Sequence, residues 1–353
     1  MLVNPLQAKH IPITPSVSLK MMETLGKQIA DNYPNTKLVI GFAETGTAIG
    51  AMVADCLDDE CIYIHTTREP FEKANYIEFQ EEHSHAVEQL LCSDNLEKFI
   101  NETDVILFID DELSTGKTLL NIVNLLRGKC PNIREKQIVV ASIINRLSDQ
   151  NMLRLYDADI QCECLLKLDE ENYEEKISSI VVELSLDFIL NDFCEVEYKT
   201  VKNPTIFPNP RFGVNMADYK ASCVDIFDSL IKTFSDELKP TDNVVVIGTE
   251  EFMYPALIFG KMLEEKVNSV KCHSTTRSPI EIASTKEYPI YCGFKIPSFY
   301  DGSRTTYIYN IEQYDKVFVV SDTRVKNTLG MEKLSAVLKS KGNEKIYYIQ
   351  GEV

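Results

Sequence analysis

Asp110 and Asp111 stand where their chemistry needs explaining. They follow five consecutive apolar residues, Val105 to Ile109, and precede Glu112-Leu113-Ser114-Thr115-Gly116-Lys117-Thr118, which opens the apolar-periodic run Leu119 to Leu126. That order reads as buried strand, loop and helix. A parallel strand delivers its carboxyl end to the rim of the sheet, where open α/β folds bind ligands, so both acids are expected at a crevice. Two neighbouring carboxylates suit vicinal hydroxyls. Ser114 to Thr118 add hydroxyls, a glycine that lets the backbone come close, and the N–H groups of a helix start, which together make a phosphate seat. A ribose carrying a phosphate fits this combination. Gly116-Lys117-Thr118 also looks like the end of a Walker loop, but that motif needs a glycine where this chain has Asp111, and the P-loop reading is rejected.

Other strand ends supply further groups. Lys37 to Phe42 reads as a short strand, and Ala43-Glu44-Thr45-Gly46-Thr47 turns into an apolar-periodic helix, Ala48 to Leu57. The small residues and Gly46 suit a backbone that approaches an anion; Glu44 suits it only if it serves a metal or a basic group. Cys61 to Ile64 forms another strand, ending in His65-Thr66-Thr67-Arg68, and the planar fork of Arg68 matches phosphoryl oxygens or pairs with a nearby acid. Glu69 to His85 is long, charged and poorly periodic. It ends in Glu-Glu-His-Ser-His, so His83 and His85 join His65 as three of the chain's five histidines. Gln137 to Ile144 is a further strand, with Asn145-Arg146 at its end.

The string Asp110-Asp111-x-x-Ser114-Thr115-Gly116-x-Thr118 after an apolar strand resembles the phosphoribosyl-diphosphate (PRPP) motif of type I phosphoribosyltransferases. More narrowly, Gly41 to Thr45, His65 to Arg68, Glu81 to His85 and Thr276-Arg277-Ser278-Pro279 resemble the two-domain phosphoribosyltransferase and TRSP-domain proteins of bacterial tellurium-resistance operons, over nearly the whole chain. The resemblance implies a magnesium-dependent pentosyltransferase acting on PRPP or a nucleoside monophosphate and a small base-like acceptor in a nucleotide-like or stress-response pathway. Asp110 and Asp111 would hold the ribose, Ser114, Thr115, Gly116, Lys117 and Thr118 the 5′-phosphate, and Glu44, Thr45, Gly46, Thr47, His65, Thr67 and Arg68 the diphosphate side. Asn145 and Arg146 would meet the base. The Glu69 to His85 loop would close over the reaction, with His83 and His85 reaching the departing diphosphate. Mg²⁺ would be carried mainly by PRPP rather than by a protein cage, and a homodimer is expected. Glu112 departs from the apolar residue usual after the acid pair. The alternatives are a catalytically silent PRPP- or nucleotide-binding regulator and an adaptor of a tellurium-resistance complex.

Composition narrows the class. At 353 residues two domains are expected, and 44% hydrophobic with 25% charged residues is ordinary for folded cores. A net charge of −18 opposes a broad nucleic-acid surface while allowing a single-nucleotide pocket. Met1 to Ser16 contains three prolines and no apolar run suited to a signal peptide, and no stretch approaches twenty uncharged apolar residues. Ten scattered cysteines read as reduced thiols of a cytoplasmic protein.

The second half echoes the first. Gly41 to His65 spans 65 − 41 = 24 positions and Gly248 to His273 spans 273 − 248 = 25, and the strand Lys316 to Val320 ends in Ser321-Asp322 as Val105 to Ile109 ends in Asp110-Asp111. The expected architecture is therefore α/β throughout. A phosphoribosyltransferase-like twisted parallel sheet flanked by helices (1–202) leads through a proline-rich linker (203–213) to a second α/β domain (214–353), a degenerate copy without the acid pair and phosphate turn. In that copy His273, Thr276, Arg277, Ser278, Asp301 and Arg304 are expected to line a pocket for a polar or anionic ligand.

Overall fold

The computed structural model describes residues 3–79, 89–169, 199–202, 207–283, 288–323 and 328–350. His83 and His85, expected in the closing loop, lie outside them. The chain forms two compact units assembled from interleaved segments: Lys20–Glu171 with Pro208–Ala221, and Met1–Leu19 with Asn172–Phe207 and Ser222–Val353. Chain order and packing thus differ. Pro208–Ala221, inside and just after the proline-rich stretch, packs with the first sheet, whereas Met1–Leu19 packs with the second.

The first unit holds a six-stranded sheet ordered β7-β6-β5-β1-β2-β9. Its strands are β1 (Thr36–Gly41), β2 (Ile62–His65), β5 (Val105–Leu113), β6 (Gln137–Asn145), β7 (Ile160–Lys167) and the short β9 (Val214–Asn215). All pairings are parallel except β2 with β9. The central strands read as continuous apolar runs because helices cover both faces. Ile40, Phe42, Ile106, Phe108, Ile138 and Val140 form one side of the core, and Phe42 stacks on Phe108 at 5.9 Å between centroids. A hairpin, β3 (Tyr76–Phe79) with β4 (Gln89–Cys92), stands apart from this sheet.

The second unit repeats the order. Its sheet runs β11-β10-β14-β15-β8, all parallel, from β8 (Lys199–Lys202), β10 (Asn243–Gly248), β11 (Ser269–Ser274), β14 (Lys316–Ser321) and β15 (Ile346–Gln350). A hairpin, β12 (Gly293–Pro297) with β13 (Thr305–Tyr309), takes the place of β3–β4. Strand for strand, β10, β11, β14 and β15 match β1, β2, β5 and β6. The fifth position is filled from different chain positions: β7 follows β6, but β8 precedes its whole sheet.

Register fixes the equivalence residue by residue. Gly41 pairs with Ile109 and with His65. Gly248 pairs with Val320 and with Ser274. Asp110 and Asp111 therefore correspond to Ser321 and Asp322, and Arg68 corresponds to Arg277. The sequence match of His65 with His273 is off by one, since Ser274 holds the position of His65. One acid of the pair, as Asp322, persists in the second copy.

Candidate functional site

Strand β5 does not end at Ile109. It continues through the acids to Leu113, because β6 runs beside it that far, with Asp110 opposite Ser142 and Leu113 opposite Asn145. On its other side β1 stops at Gly41, opposite Ile109. Asp110 and Asp111 therefore emerge half-buried at a rim open only on the β1 side, and the Asp111 amide donates to Asp110 Oδ1 at 2.9 Å. The open edge beyond a short central strand is where such sheets take ligands.

The phosphate turn follows directly. Gly116 caps the helix Lys117–Lys129 with φ +72°, a left-handed conformation that favours glycine. A Cβ there would also meet Leu155 Cδ1 and Cδ2 at 3.3 Å. Ser114, Thr115, Lys117 and Thr118 are all half-buried around this turn, and Thr115 Oγ1 accepts from the Lys117 amide at 3.4 Å.

The turn after β1 is brought to the acids by one missing side chain. A Cβ on Gly46 would lie 2.8 Å from the Ile109 carbonyl and 3.3 Å from Asp110 Cα, so only glycine lets the helix Gly46–Ala54 begin against β5. That helix starts two residues before the expected Ala48. Glu44 and Thr47 are buried and Thr45 is half-buried; Thr47 Oγ1 donates to the Glu44 carbonyl at 3.0 Å. The Ala43–Glu44 peptide is cis.

Sequence reasoning missed the residues that hold this turn. Thr66 Oγ1 accepts from the Ala43 amide at 2.8 Å and donates to Gln89 Oε1, while Gln89 Nε2 donates to the Ala43 carbonyl. Both polar groups of Ala43 are thereby satisfied inside a buried ring. Nothing in the sequence marks Gln89, which lies 46 positions from Ala43. Tyr63 adds a 2.6 Å hydrogen bond from its hydroxyl to the Thr47 carbonyl.

Several of the residues expected to bind the ligand also have internal partners. Thr67 is buried, and its hydroxyl accepts from the Glu69 amide at 2.9 Å and from Arg211 Nε at 3.1 Å. Arg211 itself is buried over the Phe71 ring, at 5.6 Å from the centroid, so it braces the first unit. His65 is buried with Nδ1 2.7 Å from the Thr66 carbonyl, and Arg68 is half-buried in the loop that follows. Asn145 and Arg146, expected at the base, also have internal partners. Asn145 Oδ1 accepts from the Leu147 amide at 2.9 Å and from Lys167 at 3.4 Å, which makes it a brace for its own turn. Arg146 Nε is paired with Glu112, the residue whose charge the sequence marked as unusual.

The second crevice is built differently from the pocket expected there. His273 is fully buried, with Nε2 2.6 Å from the Tyr309 carbonyl, and burial lowers its pKa to about 4, so it is neutral and structural. Thr276 is buried and accepts from the Ser278 amide at 3.2 Å, and the Ser278 carbonyl accepts from the Tyr309 hydroxyl at 2.8 Å. Asp301 is exposed, accepting from Ser303, whose hydrogen bonds hold its carboxyl below the usual value. Arg277 and Arg304 converge on one buried carboxylate, Glu250, at 3.0 and 3.2 Å.

Among the described residues no group of three or more His, Cys, Asp or Glu is placed to hold a metal ion, and no helix is long and apolar enough to cross a membrane. The nine described cysteines are free thiols. Burial pushes Cys61 and Cys162 up to about 12, so neither is a ready nucleophile at neutral pH.

Two family models match separate parts of the chain. Residues 1–169 match the phosphoribosyl transferase family PRTase_2, and residues 209–338 match the TRSP domain found C-terminal to it. No curated protein matches the chain. Among solved structures, an adenine phosphoribosyltransferase from Trypanosoma brucei, in complex with AMP, pyrophosphate and ribose-5-phosphate, is 19% identical, with 43% of this chain and 65% of that one covered and a TM-score of 0.33. An APRTase from Giardia lamblia complexed with 9-deazaadenine is 18% identical, over 44% of this chain and 82% of that one, with a TM-score of 0.32. Orotate phosphoribosyltransferase from Aeropyrum pernix is 16% identical, over 46% and 77%, at 0.28. At these TM-scores the likenesses carry no functional weight.

Proposed function

We propose, from the match of residues 1–169 to the phosphoribosyl transferase family and of residues 209–338 to the TRSP domain found C-terminal to it, that the first crevice binds PRPP and transfers its phosphoribosyl group to a small base-like acceptor. The observation that carries this reading is the approach of Gly46 to Ile109 and Asp110, which sets a diphosphate-type turn beside the acid pair. Asp110 and Asp111 accept the ribose hydroxyls. The backbone and hydroxyls of Ser114 to Thr118 hold the 5′-phosphate at the start of the helix Lys117–Lys129. The turn Ala43 to Thr47, fixed by Thr66 and Gln89, receives the diphosphate.

Catalysis on this reading is positioning and electrostatic stabilisation of developing charge, and no side chain need act as nucleophile. Two adjacent carboxylates without a third metal ligand among the described residues suit a hard cation that arrives with its own phosphate oxygens. Asp110 and Asp111 would stand beside a Mg²⁺ carried mainly by PRPP, and the ion would supply charge neutralisation at the leaving diphosphate.

A second reading, a PRPP- or nucleotide-binding protein without turnover, is favoured by the Glu112–Arg146 pair and by the internal use of Asn145, since both weaken the expected base site. Thermal unfolding with PRPP and Mg²⁺, compared between the wild type and Asp110→Asn/Asp111→Asn, tests the common premise, because a ligand of the native state raises apparent stability. A rise in the wild type that the double variant loses is expected. Diphosphate release on adding bases then separates enzyme from regulator. No rise at millimolar PRPP leaves only an adaptor role.

A further inference from the structure

The turn after β10 repeats the strand-end hydrogen bond and the threonine cap of the turn after β1. Thr66 N donates to the Gly41 carbonyl at 2.9 Å, and Thr275 N to the Gly248 carbonyl at 3.1 Å. Thr66 Oγ1 accepts from the Ala43 amide at 2.8 Å, and Thr275 Oγ1 from the Glu250 amide at 3.0 Å. Thr67 is bridged to Leu90 of the first hairpin, and Thr276 to Tyr307 of the second. Glu250 therefore stands at the position of Ala43, inside what is the diphosphate turn of the first unit.

Its side chain changes what that turn can hold. Glu250 is completely buried and its carboxylate accepts from Ser298 Oγ at 2.6 Å, Arg277 Nε at 3.0 Å and Arg304 Nη2 at 3.2 Å. Arg277 is the counterpart of Arg68. Ser298 and Arg304 flank the tip of the β12–β13 hairpin, where Ser298 Oγ also accepts from the Tyr300 amide at 3.1 Å and from Arg304 Nη2 at 2.8 Å. From that tip Tyr300 extends its hydroxyl to Asp322, the counterpart of Asp111, and to Thr249 Oγ1 at 2.9 Å. Behind the turn, the fully buried Lys9 donates to the Glu250 carbonyl at 2.7 Å. A hydroxyl thus sits on the acid, and a carboxylate sits on the arginines.

We propose that the second unit is a self-liganded crevice, in which the Glu250 carboxylate and the Tyr300 hydroxyl occupy the seats that a phosphorylated polyol would take, and that withdrawing them opens an anion site on Arg277 and Arg304. The choice of ligand class rests on the phosphoribosyl reading of the first crevice; the internal occupancy does not. A buried carboxylate held by two arginines and a serine is a close stand-in for a phosphoryl group, since both present oxygens to a planar guanidinium. Losing it removes the buried countercharge shared by Arg277 and Arg304, which favours capture of an anion there. The second unit consequently closes its own hairpin without an external phosphate.

The test uses the full chain carrying Asp110→Asn and Asp111→Asn, so that the first crevice is silent, and titrates inorganic diphosphate and ribose 5-phosphate separately by calorimetry. Glu250→Gln on this background is expected to tighten diphosphate binding by at least about tenfold. Adding Tyr300→Phe extends the gain to ribose 5-phosphate, and adding Arg277→Ala abolishes both. Folded Glu250→Gln/Tyr300→Phe protein that takes neither ligand overturns the proposal, as does a gain that survives Arg277→Ala. Hydrogen exchange on the wild type provides a second arm that needs no variant. The Tyr300, Asp301 and Arg304 amides are expected to be protected, and exchange as fast as an open loop would sink the idea. Failure of the wild type to bind PRPP bears only on the first crevice, whereas these outcomes bear only on the second.

Discussion

In the first unit the turn after β1 offers Ala43, whose polar groups are satisfied by Thr66 and Gln89, and the rim beside it offers two carboxylates. In the second unit the same backbone offers Glu250, and the rim offers Ser321 and Asp322. Gln89 is replaced in register by Thr306, whose hydroxyl turns back to the Ile296 carbonyl at 3.1 Å within its own hairpin. The two crevices therefore share a scaffold and differ in who supplies the polar partners. On the proposed reading the first is completed by a ligand and the second by its own chain. A small number of side chains on an unchanged sheet is enough to separate these outcomes, because the backbone hydrogen bonds that shape both turns do not depend on them.

The sharpest break in the comparison is at the acids. Asp110→Asn with Asp111→Asn is expected to lower PRPP affinity by about a hundredfold or more, each lost charge-assisted contact being worth ~1.5–3 kcal/mol, while Asp322→Asn leaves it unchanged; calorimetry on the three proteins checks this. Equal losses from both would show that the units are not functionally distinct.

Acid sensitivity should divide the units next. His273 has its folded pKa lowered to about 4 from 6.5, so the unfolded chain takes up the proton first as pH falls. Its contribution is fully present above about pH 6.5 and is lost progressively down to about pH 4, up to roughly 3 kcal/mol. The counterpart of His273 in the first unit is Ile64, which has no charge to gain. Residue-resolved exchange between pH 7 and pH 4 is expected to show β10, β11 and β14 losing protection first, and His273→Asn is expected to flatten that slope.

Gly46→Ala forces a methyl against the Ile109 carbonyl and Asp110 Cα, so the first unit should lose ~1–3 kcal/mol in denaturant melts, together with PRPP affinity. Gln89→Leu leaves the buried Ala43 carbonyl without that donor, at a cost of ~1–3 kcal/mol. Thr306→Val in the second unit removes a single hydroxyl bond, ~1 kcal/mol, and should not touch ligand binding. If Gln89→Leu lowers stability but not PRPP affinity, the ring around Ala43 is only a brace.

Much of this was legible in the chain itself. The apolar strands, the acid pair, the small-residue turns and the duplication all follow from local pattern, because a buried parallel strand must be apolar along its length and the residues ending it must face the rim. Glu112 was legible as unusual, and the structure gives it Arg146 as a partner. Other features were hidden because they join residues distant in sequence. Gln89 reaches Ala43 across the hairpin, Lys9 reaches Glu250 from the amino-terminal segment, and β8 joins a sheet whose other strands all come later. The same held for His273, where equal spacing suggested equivalence and register moved it by one residue. Sequence determined which residues end each strand and open each turn, since strand periodicity and turn chemistry are local. Only the tertiary structure decided which of them are already satisfied, because a hydrogen bond or ion pair depends on distance in space and not along the chain.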